Sequence, residues 1–143
     1  MTIYLFDFDN TIVKLPYQET YDYMDTDKSL DPSLGFKVIK KTYTDYQNAL
    51  QKNDGPIFLL SNRLSHLRNS LEKILKTFGY RFDDYYLIDS EDRHKGNRIK
   101  KILEKYPECT NIKFWEDKDK WIEAVTETME EYPNIKLEIT KTK

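Results

Sequence analysis

The chain is poor in the residues that most often reveal a function. It has one cysteine and two histidines. A lone cysteine, Cys109, excludes an internal disulfide and a multi-cysteine zinc site. Neither His66 nor His94 has a His, Cys or Glu partner at zinc-ligand spacing. The net charge is only -2, so no global basic field draws the chain to nucleic acid or to acidic membranes. No apolar run approaches the length of a membrane span, and no basic, apolar leader opens the chain. These absences predict a soluble, cytoplasmic protein with no membrane partner. There is no internal repeat and no low-complexity segment.

What is present suits one enzyme-sized domain. A length of 143 residues fits a single domain, 1–143. At this size about two-thirds of the unfolded surface can be buried. Charged residues make up 34%, but the apolar segments between them are regularly spaced, which argues against disorder.

Strand-like and helix-like segments alternate. Strands are predicted at 2–8, 57–61, 84–88 and 112–115. Apolar residues at helical spacing predict helices at 64–78, 96–106 and 118–131. Residues 135–139 alternate apolar and polar, as an edge strand does. This order predicts an α/β fold with a doubly wound, mostly parallel sheet. Residues 12–55 break the alternation and read as an insertion, with a helix at about 35–51. Its tyrosines, Tyr17, Tyr21, Tyr23, Tyr43 and Tyr46, are expected to pack on the sheet.

Three polar clusters follow three of the predicted strands: Asp7 to Thr11, Ser61-Asn62-Arg63, and Glu116-Asp117-Lys118-Asp119. In doubly wound sheets ligands bind beyond the carboxyl ends of the strands, so these clusters should converge. Asp7 and Asp9 share a face only if the chain stays extended. Two carboxylates that close repel, and a divalent cation removes the cost. Carboxylates, carbonyls and water are the ligands Mg²⁺ prefers.

Asp7-Phe8-Asp9-Asn10-Thr11 resembles the DxDxT signature of the haloacid dehalogenase superfamily, most of whose members are phosphatases. The resemblance implies a Rossmann-like fold with a small or absent cap, the insertion at 12–55 serving as cap or flap. It implies that Asp7 is the nucleophile, that Asp9 is the general acid and base, and that Thr11 orients Asp9. Leu59 to Arg63 resembles the second motif of that family. Ser61 and the Asn62 backbone N–H would then hold a phosphoryl oxygen, with Arg63 as a further phosphate ligand. Two lysines, Lys95 and Lys100, compete for the third motif. Ile112 to Asp117 resembles the last motif, in which Asp117 completes Mg²⁺ coordination with Asp7 and the Asp9 main-chain carbonyl; Glu116 and Asp119 are the alternatives. At a finer level the motifs are similar to the phosphatase domains of polynucleotide kinase–phosphatases and to related domains of RNA-repair enzymes. Asn62 departs there from Gly, and Lys118 from Arg, and no kinase or ligase domain is expected.

The function expected is therefore a Mg²⁺-dependent phosphomonoester hydrolase acting through an aspartyl-phosphate. Its substrate would be phosphorylated, with a nucleic-acid 3′-phosphate or a nucleotide favoured by the finer resemblance; a small metabolite or a phosphoprotein is the alternative. A phospho-accepting switch or a silent binding module is the rival outside enzymes. Ile88-Asp89 is a poor acceptor strand for such a switch, and the scheme leaves Asp9 to Thr11 without a role.

Overall fold

The computed structural model describes residues 1–89 and 91–142. Its frame is a five-stranded sheet with helices on both faces. The strands are β1 (Thr2–Phe6), β4 (Ile57–Leu64), β5 (Asp84–Ile88), β6 (Asn111–Glu116) and β7 (Lys136–Lys141), in the order β5-β4-β1-β6-β7. Every pairing in this sheet is parallel. The small strands β2 (Val13–Lys14) and β3 (Lys37–Val38) form an antiparallel pair inside the insertion. The α-helices are α1 (Tyr21–Met24), α2 (Lys40–Lys52), α3 (Arg68–Thr77), α4 (Lys95–Lys105) and α5 (Asp119–Met129).

The alternation of β1 builds two cores from one strand. Ile3 and Leu5 join Ile99 and Ile102 of α4 and Val125 of α5 on one face. Tyr4 and Phe6 join Tyr46 of α2 and Leu71 and Ile74 of α3 on the other. All five residues of β1 are buried, as expected of a central parallel strand. Cys109 packs in the α4–α5 core. No helix among the described residues is long and apolar enough to cross a membrane.

Register carries the core to the site. Phe6 of β1 pairs with Trp115 of β6, and their rings stack at 4.2 Å and 8°. Such cross-strand aromatic pairs contribute about 0.2–1 kcal/mol each. One step further along, the same register sets Asp7 beside Glu116. The chain places β4 and β5 on one side of β1, then crosses back to lay β6 on the other. Asp7 and Glu116 thus stand at the point where strand order reverses, which is where ligands bind in open α/β sheets.

Some boundaries differ from the sequence expectation, each for a local reason. The strand expected over 2–8 ends at Phe6, because the chain turns at Asn10, whose φ is 56°. The strand expected over 57–61 runs on to Leu64, so the helix expected from 64 starts only at Arg68, after a single 3₁₀ turn over Ser65–Leu67. The helix expected from 35 starts at Lys40, because Pro32–Leu34 forms a 3₁₀ turn and Lys37–Val38 is strand. Gly35 ends that turn with φ 88°, a left-handed conformation that suits glycine.

Candidate active site

The site begins where β1 stops. The Asp7 N–H donates to the Trp115 carbonyl at 3.0 Å, which ties the residue to β6. The N–H groups of Thr11 and Ile12 then fold back onto the Phe8 carbonyl. Asn10 holds the left-handed position of this turn, a region where Asn is among the few tolerated residues. Its amide is fixed at both ends: Oδ1 accepts the Leu15 N–H at 3.0 Å, and Nδ2 donates to Glu19 at 2.7 Å. Because the chain turns rather than staying extended, Asp7 and Asp9 have separate partners.

Asp7 faces a lysine. Lys95 is the first residue of α4, 1% exposed, and its Nζ bonds both Asp7 Oδ1 at 2.9 Å and Glu116 Oε1. Lys95 thus meets Asp7, while Lys100 lies outside the cluster, 38% exposed and paired with Glu131. Gly96 lets α4 sit this close, since a Cβ there would meet Thr128 Oγ1 of α5 at 1.9 Å.

Asp9 faces an arginine. Arg63 is fully buried, and its Nε and Nη2 grip Asp9 Oδ1 at 3.2 and 2.7 Å, with Nε 3.1 Å from Oδ2. Its remaining donors bond the Met24 carbonyl, Ser29 Oγ and Tyr17 Oη, all in the insertion. The phosphate-ligand role expected of Arg63 is therefore not what its neighbours offer. The guanidinium is spent on Asp9 and on the insertion. It sits inside because β4 runs past the apolar segment that marked the strand in the sequence.

Thr11 also differs from expectation. Its hydroxyl donates to Asp7 Oδ2 at 3.0 Å, rather than to Asp9, and shares a hydrogen bond with Thr142. Ser61 is fully buried, and its Oγ accepts the Arg63 N–H at 3.1 Å. Asn62 lines the same cavity as Asp7, Asp9, Lys95, Glu116 and Asp117. Asp119 stands apart, 70% exposed and paired with Lys141. Asp89 is exposed beyond β5, away from this convergence. His94 caps α4 by accepting the Asn97 N–H at 3.3 Å, and His66 is exposed.

Carboxylate oxygens of Asp7, Glu116 and Asp117 lie within 4.8 Å of one another. Burial and the neighbouring Glu116 push Asp7 up to about 6, against the pull of Lys95. Burial and Asp7 push Asp117 up to about 10, and no ion pair relieves it among the described residues. Burial works most strongly against ionisation of Glu116, but Lys95 and hydrogen bonds with Asp117 and Asp7 together outweigh it and hold that carboxyl below the ordinary value. Burial raises Asp9, with Arg63 offsetting part of the effect. Three crowded acids against one lysine is the donor set and charge that a hard divalent cation fits.

The insertion closes over this cluster. Glu19 pairs with Lys118, Asp25 pairs with Arg93 at 3.0 Å, and the Arg93 guanidinium lies 3.8 Å from the Tyr21 ring centroid. The cavity left has a volume of about 20 Å³, room for about one water molecule or ion. A groove of about 670 Å³ beside α3 is larger, but its charged lining (Glu72, Lys73, Lys76, Arg81) has no cluster of acids facing a buried lysine. Lys118, Glu19, Arg98 and Thr142 were not singled out as site residues from the sequence. Lys118 lay in the Glu116 to Asp119 cluster already noted, and Arg98 had no such mark. Glu19 and Thr142 reach the site through the fold alone.

Comparison with known proteins follows this geometry. No protein-family model matches the chain, and no curated protein matches it in sequence. Solved structures resemble it, among them two from one assembly. One is a chain of the Pnkp1/Rnl/Hen1 complex, with a TM-score of 0.69 and 19% identity over 99% of this chain and 45% of that one. The second is from the Pnkp1/Rnl/Hen1 RNA repair complex, with a TM-score of 0.63 and 18% identity over 99% of this chain and 42% of that one. The chain thus spans less than half the length of these neighbours. At this identity the likeness shows the α/β fold.

Proposed function

We propose that the protein is a phosphomonoester hydrolase of the haloacid dehalogenase type that acts in RNA repair, removing a terminal phosphate from RNA through an aspartyl-phosphate on Asp7. The observation that carries the reading is the convergence of Asp7, Lys95, Glu116 and Asp117 at the reversal point of the sheet. The RNA-repair context is supported by the fold of the two neighbours from the Pnkp1/Rnl/Hen1 complex.

In this reading the ionised Asp7 carboxylate attacks phosphorus while the leaving oxygen takes a proton from Asp9. Burial raises Asp9 toward the protonated form that an acid needs, against the pull of Arg63. Asp9 then takes a proton from water, whose oxygen attacks the phosphorus of the aspartyl-phosphate, releasing orthophosphate and restoring Asp7. Lys95 and Thr11 each hold one Asp7 oxygen, which fixes the carboxylate against rotation. Asp7 and Asp117 would hold Mg²⁺, with Glu116 beside them. When bound, the ion would supply positive charge to the carboxylates and to the transferring phosphoryl group, where electrostatics supplies most of the catalysis. Phosphoryl groups are larger than the cavity, so substrate entry requires the Glu19–Lys118 contact on its lining to part.

The test is Mg²⁺-dependent release of orthophosphate from a 3′-phosphorylated RNA oligonucleotide. Asp7→Asn should abolish turnover with the fold intact, because an amide cannot accept the phosphoryl group. Substantial activity in that variant would remove Asp7 from the nucleophile role.

A further inference from the structure

Asn62, on the outer part of β4, has an amide whose orientation its neighbours dictate. Its Oδ1 accepts a hydrogen bond from Arg98 Nη2. A guanidinium carries donors only, so the amide oxygen must face Arg98 and the NH₂ group must face away from it. That NH₂ is buried and has no hydrogen-bond partner among the described residues. The residue lines the cavity shared by Asp7, Asp9 and Lys95. A buried donor without an acceptor is costly, and native proteins keep few of them.

Arg98 explains why the amide is held this way. Its guanidinium is buried, forms no salt bridge among the described residues and bonds only oxygens of the uncharged kind. Nη1 donates to the Ser61 carbonyl at 2.5 Å and to the Tyr86 carbonyl at 3.1 Å, and Nη2 to the Arg93 carbonyl at 3.4 Å. Burial pushes its pKa down to about 10, against the pull of Asp92, Asp7 and Glu116. Arg98 stands one helical turn after Lys95 on α4 and clamps the Ser61-Asn62 segment from behind.

We infer that the Asn62 side-chain NH₂ is a substrate contact, donating to a non-bridging oxygen of the phosphoryl group, and that Arg98 is the positioning residue that aims it. The inference rests on the phosphatase reading above. The charged donors of the closed site already hold carboxylates. Lys95 is shared between Asp7 and Glu116, Arg63 is spent on Asp9, and Lys118 is paired with Glu19. An incoming phosphoryl group brings acceptor oxygens, and the Asn62 NH₂, on the cavity lining, is a buried donor that lacks one.

The experiment uses the full chain, with steady-state hydrolysis of para-nitrophenyl phosphate in Mg²⁺ and calorimetric binding of inorganic phosphate. Asn62→Ala should raise KM and weaken phosphate binding by about tenfold or more, the worth of one hydrogen bond to a charged group. Asn62→Asp should lose more, since it places a carboxylate against the anion. Arg98→Lys should shift KM in the same direction, and the double variant Asn62→Ala/Arg98→Lys should lose no more than Asn62→Ala alone. A merely structural role for Arg98 would instead give additive losses. Asn62→Ser, read in the same assays, serves if the alanine variant does not fold. Wild-type KM and phosphate affinity in the Asn62 variants, or additivity in the double variant, overturns the inference alone. A wild-type chain that neither hydrolyses the aryl phosphate nor binds phosphate overturns the phosphatase reading and the inference with it.

Discussion

Arg63 holds Asp9 through both carboxylate oxygens, with the guanidinium 0% exposed, and with the same group it holds the insertion at Met24, Ser29 and Tyr17. One buried cation therefore sets Asp9, the proposed proton-transfer carboxylate, and anchors the segment above it. Removing one partner of a buried pair leaves an uncompensated charge, at a cost of about 3–5 kcal/mol. Arg63→Ala should lower the melting temperature by roughly 10 °C or more and lose turnover. Arg63→Lys should recover part of the stability but not the two-pronged grip on Asp9. An unchanged melting temperature in Arg63→Ala would show that the pair is not structural.

Asp9→Asn separates the two chemical steps. The amide can neither protonate the leaving oxygen nor activate water, so turnover should fall roughly 10²–10⁴-fold. With an activated aryl phosphate the first step needs less acid help than the second, and phosphate should accumulate on Asp7. Intact-mass measurement checks for the adduct; a chain of unmodified mass during turnover counts against the two-step scheme.

Asp117 and Asp119 follow the same strand but stand in different surroundings. Asp117 lies with Asp7 and Glu116, whereas Asp119 is exposed and paired with Lys141. Asp117→Ala should raise the Mg²⁺ concentration needed for half-maximal activity well above that of Asp119→Ala. Equal or reversed titrations would transfer the ligand role elsewhere.

The acid cluster also sets how stability responds to pH. The folded values of Asp7, about 6, and Asp117, about 10, lie above the unfolded carboxylate value of about 4. The folded state thus binds more protons than the unfolded one. The stabilisation is fully present below pH ~4 and is lost as pH rises through the folded values. Glu116 works in the opposite sense, but its titration lies below this window. Metal-free protein should therefore melt lower at pH 8 than at pH 5.5. Added Mg²⁺ should raise the melting temperature more at pH 8, because binding there displaces fewer protons. Asp117→Asn should melt higher than wild type in chelator at pH 8 and lose most of the Mg²⁺ gain. A Mg²⁺ effect that is larger at pH 5.5 contradicts this account.

The sequence carried the frame of the site because its signals there are local. Apolar runs ending in acids or Ser mark β1, β4 and β6, and the alternation of strands and helices sets their order. What it could not carry depends on contacts between distant segments. Lys95 and Lys100 are five positions apart on one helix, and only the packing of α4 decides which one enters. Arg63 looked like a free fork for phosphate, since nothing local shows that β4 continues far enough to bury it. Glu19, Arg98 and Thr142 have no local signature; each joins the site through a partner that is remote in the chain. Asp7 and Asp9 seemed to need an extended chain to converge, yet they line one cavity across a left-handed turn at Asn10.

The substrate prediction turns on the two cations at the mouth. The chain as a whole is acidic, so a polyanion can be favoured only locally. Arg93 touches the Asn62 carbonyl at 3.2 Å and stacks on Tyr21, while Lys118 reaches Glu19; both are held by carboxylates of the insertion. When the insertion parts, each cation exchanges a carboxylate for whatever anion enters. An RNA end offers a second phosphate next to the one being removed, and a sugar phosphate does not. We therefore expect 3′-phosphorylated oligonucleotides to be hydrolysed with a higher kcat/KM than sugar phosphates. Counterion release makes Lys and Arg contacts to backbone phosphates salt-dependent. The preference should accordingly shrink as salt rises. Arg93→Ala should raise KM for the oligonucleotide while leaving para-nitrophenyl phosphate hydrolysis nearly unchanged, since that substrate has no flanking phosphate to lose. A sugar phosphate as the best substrate, with no salt dependence, would overturn the nucleic-acid assignment and leave the chemistry at Asp7 standing.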